Sequence, residues 1–255
     1  MSLSRYVQRN VSADGGGRSG RTIGRLSGDS ASIGFVMADY VELTLRRNRG
    51  WPWPEESWGL TPMYGADGWC HSCGVPKHEQ VGSLVLQGKG MAKAEGAWVP
   101  NWLFDAYCLD ARTADAAVER FSLELLPVLW HGRRPDGDAM QIVARSSAQS
   151  WFEPEWLSKL TSSVHGVAGA TCPDCRVWRW MPVGMEDLQL PPANVFKGDP
   201  AVVASPEWFG DGAQAFRQIL WRRDLAQLLL KVSPRDFKLQ EVANRPSDGR
   251  PGKPR

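Results

Sequence analysis

A chain of 255 residues, 42% hydrophobic and 23% charged, has the balance of an ordinary globular protein and enough length to bury a core without cross-links. Its longest apolar runs, LLPVLW (125–130) and LLL (228–230), fall far below the roughly 20 residues of a membrane helix, and the arginine-bearing N-terminus leads into Gly, Ser and Asp rather than a secretory apolar segment. The net charge of +2 is uneven: residues 1–36 carry five arginines against two aspartates, residues 243–255 four basic residues against one aspartate, and the body between is net acidic, which argues against a phosphate-binding surface there.

Residues 1–36, with GGGRSGRTIG at 15–24, show no apolar period and are expected to be disordered. From Met37, a candidate initiator, MADYVELTLRR alternates Val41, Leu43 and Leu45 with Tyr40, Glu42 and Thr44, the period of a half-buried strand. Two prolines in WPWPEESWGL (51–60) exclude a regular helix or central strand, so its three tryptophans are expected to form a lid over the core. SLVLQG (83–88) predicts a strand. TADAAVERF (113–121) predicts a helix capped by Thr113. FSLELLPVLW either extends that helix or forms a strand, with Pro127 favouring a break. AMQIVA (139–144) reads as a strand and PEWLSKL (154–160) as a short helix opened by Pro154.

Near the C-terminus AVVAS (201–205) is a compact apolar strand, after which Ser205 and Pro206 fit the cap and first position of a helix. Phe216, Ile219, Leu220, Leu225, Leu228 and Leu229 recur at helical spacing and predict one amphipathic helix of about five turns over 212–231. FKLQEV (237–242) alternates as a strand, which makes a strand–helix–strand crossover. The tail from Ala243 is rich in Pro, Gly, Lys and Arg and is expected to be disordered. The fold class is therefore α+β: one mixed domain over 37–242 with a C-terminal strand–helix–strand unit.

The chemistry lies in two short stretches, GWCHSCG and TCPDC. Cys70, Cys73, Cys172 and Cys175 form two CxxC pairs separated by 98 residues. Two sulfurs spaced by two residues can reach one ion from a tight knuckle, and two knuckles complete a tetrahedral thiolate site. Zn2+ suits such a closed, soft site, held by about 64–80 and 165–182 in a zinc-ribbon-like clasp. A thioredoxin-like redox pair would place one isolated CxxC at a strand-to-helix junction, and a catalytic zinc would leave a position open for water. His71, His78 and His165 read as bystanders, Cys108 as a small core side chain, and Trp178 and Trp180 as a cover over the metal. There is no Walker A loop, GxSxG elbow, HExxH or well-placed GxGxxG, and His131 has no identifiable nucleophile nearby in sequence. No catalytic and no cofactor-binding residue is assigned.

The order of these features, Trp58-Gly59-Leu60, the knuckle CHSCG, a long middle region, the knuckle CPDC, a strand ending in Ser205, a helix containing Phe216 and a strand around Phe237, resembles the double-CXXCG motif proteins of myxobacteria. Arg176 stands where that family has glycine, which leaves the ligands in place. The resemblance implies that the four cysteines are the paired motif cysteines. It also implies an immunity protein of a swarming-inhibition toxin system, which neutralises a cognate protein toxin by binding. A cytoplasmic, non-enzymatic, zinc-binding protein is the resulting expectation. The alternatives are a zinc-ribbon protein that contacts nucleic acid through its basic tails, and an enzyme whose site a single sequence does not reveal.

Overall fold

The computed structural model describes residues 40–47, 49–50, 52–56, 59–211 and 214–242. The two expected disordered tails, Met37, and the lid tryptophans Trp51 and Trp58 lie outside them. The strands are β1 (Tyr40–Leu45), β2 (Val85–Gln87), β3 (Ala97–Trp98), β4 (Tyr107–Asp110), β5 (Leu125–Pro127), β6 (Leu129–His131), β7 (Ala139–Ile142), β8 (Gly169–Thr171), β9 (Trp178–Trp180), β10 (Val202–Phe209), β11 (Phe216–Arg222) and β12 (Phe237–Glu241). The helices are α1 (Leu60–Tyr64), α2 (Ala111–Val118), α3 (Pro154–His165) and α4 (Arg223–Val232). Among the described residues no helix is long and apolar enough to cross a membrane.

The main sheet has the order β12-β1-β11-β10-β9-β8, antiparallel throughout except where β9 runs parallel to β10. Both of its faces are buried. Val41, Leu43, Ile219, Trp221 and Phe237 pack on one side with Leu225 and Leu229 of α4. Tyr40, Val203, Phe209 and Leu220 pack on the other with Trp151, Phe152, Leu157 and Met185. A second sheet, β3-β4-β7-β5, shares the α4 side through Leu109 and Ile142, and β2 pairs in parallel with β6.

Two-sided burial overturns the expected long helix. A strand covered on both faces needs no polar alternation, so the apolar run Ile219-Leu220-Trp221 in FRQILW, with Phe216 before it, can imitate helical spacing. In the structure it is β11, paired residue by residue with β10, and the helix begins only at Arg223. The expected helix start at Ser205 and Pro206 is corrected as well. β10 continues through both residues, with a register shift between Ala204 and Trp208 where proline is tolerated in a bulge. The Ser205 hydroxyl takes over the interrupted ladder: it accepts the Gln218 N–H at 3.1 Å and donates to the Glu207 carbonyl at 2.9 Å.

The helix expected after Thr113 starts earlier. Asp110 is its cap, accepting the Thr113 N–H at 2.6 Å and the Gly96 N–H at 2.5 Å, and Thr113 is buried. Pro127 ends β5, so FSLELLPVLW is two short strands. α3 opens on Pro154 as expected and runs on to His165, where Gly166 at φ +80° caps it. In the WPWP segment Pro52 and Pro54 are buried, and Pro54 bridges to Leu86.

Candidate metal centre

Each CxxC folds into a tight turn with the same hydrogen bonds. In the first, the Cys70 N–H donates to the Val75 carbonyl at 2.9 Å and the Gly74 N–H returns to the Cys70 carbonyl at 2.8 Å. In the second, the Cys172 N–H donates to Val177 at 2.9 Å and the Arg176 N–H to Cys172 at 3.0 Å. The residue after the second cysteine is left-handed in both, Gly74 at φ +77° and Arg176 at φ +63°. The first turn is closed by a bridge between Trp69 and Pro76, the second by the β8–β9 hairpin, in which Thr171 faces Trp178. The hairpin forms one edge of the main sheet. Across the two turns, the Ser72 hydroxyl donates to the Asp174 carboxylate.

The turns meet face to face. Cys70 Sγ lies 3.8 Å from Cys172 Sγ, Cys73 Sγ lies 3.5 Å from Cys175 Sγ, and all four sulfurs fall within 4.8 Å of one another. No disulfide joins them. Zn–S bonds of about 2.3 Å place the sulfurs of a tetrahedral site about 3.8 Å apart, so the spacing suits one zinc ion. Cys70, Cys73 and Cys172 are buried and Cys175 is half-buried. Val75, Val177, Trp208 and Ala215 pack around the sulfurs.

Electrostatics favour a cation here. Two thiolates about 4 Å apart repel by about 4 kcal/mol at an effective dielectric near 20, and four cannot share this volume without compensation. Burial pushes the Cys73 and Cys175 thiols up. The backbone N–H of Cys175, with that of Asp174, pulls the Cys172 thiol down to about 6, so this sulfur is the readiest thiolate. A divalent ion that replaces the remaining protons relieves the repulsion and holds the turns together. Zinc bound by Cys70, Cys73, Cys172 and Cys175 would supply structural cross-linking.

The other expected bystanders stay outside the cluster. The His71 ring stacks on Trp69 at 4.0 Å and its Nε2 lies 2.8 Å from the Ala66 carbonyl. His78 Nδ1 lies 2.7 Å from the Glu79 carbonyl, and His165 Nε2 2.6 Å from the Pro182 carbonyl. His131 sits 3.8 Å from Glu55. Cys108 is fully buried beside Leu84, Leu86 and Trp98, where burial pushes its thiol up. The expected tryptophan cover is wrong. Val177 faces the sulfurs, so alternation along β9 turns Trp178 and Trp180 to the opposite face. There Trp180 joins the Phe209 side of the core and Trp178 stays 40% exposed. The cover comes instead from Trp208, which the bulge in β10 positions and which no sequence period marks.

No family model, no curated protein and no solved structure matches this chain.

Proposed function

We propose that the protein is a non-enzymatic zinc protein of the cytoplasm, whose four-cysteine clasp stiffens a binding scaffold that neutralises a cognate protein toxin by direct contact. The observation that carries the metal reading is the closure of the thiol set: four sulfurs within 4.8 Å, three of the cysteines buried, leave no exchangeable position of the kind a catalytic zinc keeps. The immunity role is supported by the Trp58-Gly59-Leu60 stretch and the two cysteine knuckles, whose order resembles the double-CXXCG immunity proteins. It is also supported by what neutralisation needs, a surface already in its binding shape, because pre-organisation lowers the cost of association. The clasp serves that need by tying the 70–75 turn to the hairpin at the sheet edge across 98 residues of chain.

The test is co-purification with the product of a secreted-toxin gene adjacent to the coding sequence, followed by titration calorimetry. A saturable complex that inhibits the toxin and weakens when the metal is stripped supports the reading. No complex with any neighbouring toxin defeats the immunity role and leaves the zinc clasp standing. Retention on DNA or RNA at low salt, lost as salt rises, would favour the nucleic-acid alternative instead.

A further inference from the structure

A cavity of about 350 Å³ opens beside the first knuckle, separate from the space between the sulfurs. Leu60, Met63, Leu103 and Ile142 give it apolar lining, and Tyr64, Asp105, Gln214 and Arg217 line it as well. Several of these polar groups are unsatisfied. The Tyr64 hydroxyl makes no hydrogen bond within the described residues. Arg217 Nε and Gln214 Oε1 are buried without partners among the described residues. The Tyr64 hydroxyl and the Arg217 guanidinium thus bring to the lining of one hollow a hydrogen-bonding capacity that the described residues do not use up.

The charges point to the kind of occupant. The Arg217 guanidinium lies 5.1 Å over the Trp208 ring, donates from Nη2 to the Ala144 carbonyl at 3.3 Å, and forms no ion pair among the described residues. Asp105 accepts the Arg217 backbone N–H at 3.2 Å but does not pair with its guanidinium. Burial pushes the Asp105 carboxyl up while the Arg217 charge pulls it down, so the guanidinium is felt at Asp105 although the two side chains do not close on each other. A ligand carrying one charge would leave one of them uncompensated in a poorly solvated place. A ligand with both charges and an apolar body complements Arg217, Asp105 and the apolar wall, while Lys77, His78 and Glu79 complete the lining with charges of both signs.

We propose that this cavity binds a small zwitterion, an α-amino acid with an apolar side chain. Its carboxylate rests on the Arg217 guanidinium and the Tyr64 hydroxyl, its ammonium on Asp105, and its side chain against Leu60, Met63, Leu103 and Ile142. Guanidinium–carboxylate pairing supplies orientation as well as attraction. The volume falls within the usual range of small-molecule sites. Gly74, Trp208 and Ala215 line the cavity and also adjoin the cysteines, so ligand and metal stabilise neighbouring parts of one structure.

The test is an amide-resonance titration of the zinc-loaded protein with L-leucine, L-methionine and L-phenylalanine, beside isocaproate and isopentylamine, which are leucine without its ammonium and without its carboxylate. At least one amino acid is expected to bind with Kd of about 1 mM or tighter and to shift resonances around the cavity. Each one-charge analogue is expected to bind at least about tenfold more weakly, which corresponds to one lost charged contact. R217M and D105N are each expected to lose binding while keeping the near-ultraviolet circular dichroism of the parent. If either variant fails to fold, the analogue series on the parent protein decides. Isocaproate or isopentylamine binding as well as leucine overturns the zwitterion assignment, and no shift with any of the three amino acids at about 10 mM means a cavity filled by water alone.

Discussion

Replacing Arg176 by glycine is expected to stabilise the metal-bound protein. Arg176 occupies a left-handed conformation at φ +63°, which costs an L-residue about 1–2 kcal/mol. Glycine removes that cost but adds about 0.5–1 kcal/mol of unfolded-state entropy, so the net gain is about 0.5–1 kcal/mol. The Arg176 side chain is exposed and makes no hydrogen bond or ion pair with the described residues, so truncation removes only its charge beside a four-thiolate centre. Working in about 1 M salt, where the screening length is about 3 Å, suppresses that opposing effect. A chain of this size should then melt about 2–3 °C higher. Differential scanning calorimetry of zinc-loaded R176G against the parent is the assay. The mirror change, G74A in the first knuckle, should lower the melting temperature by a similar amount. If R176G melts lower than the parent in high salt, the equivalence of the two turns is wrong.

Asp236 is buried and accepts hydrogen bonds from Arg47, at 2.7 Å, and Arg49. Burial alone would raise its carboxyl, but the two guanidiniums outweigh that and hold it below the usual range. Because the folded value is depressed, its stabilisation is present above the unfolded value near 3.9 and is lost as pH falls through the folded value. D236N should therefore cost about 2 kcal/mol at pH 7, with the gap to the parent closing below about pH 4, as read by urea melts across pH. S205A removes the hydroxyl that completes the β10 bulge and leaves the buried Gln218 N–H without its partner, an expected loss of about 1–3 kcal/mol in the same assay.

The site was legible because metal chemistry is written in residue type and short spacing. Two CxxC pairs state the ligands regardless of what the intervening 98 residues do. Their immediate surroundings were not legible. Which face of β9 meets the sulfurs depends on the register that follows Cys175, and Trp208 reaches them only because β10 bulges at Ser205–Pro206. β1 and β12 declared themselves by alternation because Glu42, Thr44, Lys238 and Gln240 sit at partly buried positions between the core residues. β11 did not, because burial on both sides leaves Ile219, Leu220 and Trp221 apolar without alternation, and together with Phe216, Leu225 and Leu228 they fall at helical spacing. Ser-Pro and Asp-x-x-Thr are ambiguous for a related reason: the same hydroxyl or carboxylate can cap a helix or repair a ladder, and only the neighbouring strand decides.

The central claim is that Cys70, Cys73, Cys172 and Cys175 hold one ion between them, and metal analysis tests it most directly. Protein purified without chelator should carry one zinc per chain by elemental analysis, and native mass spectrometry should show all five cysteines free of disulfide. C73S should lose the ion and melt at a lower temperature. Less than half an equivalent of zinc or iron in the parent protein, or a full equivalent retained by C73S, would contradict the clasp.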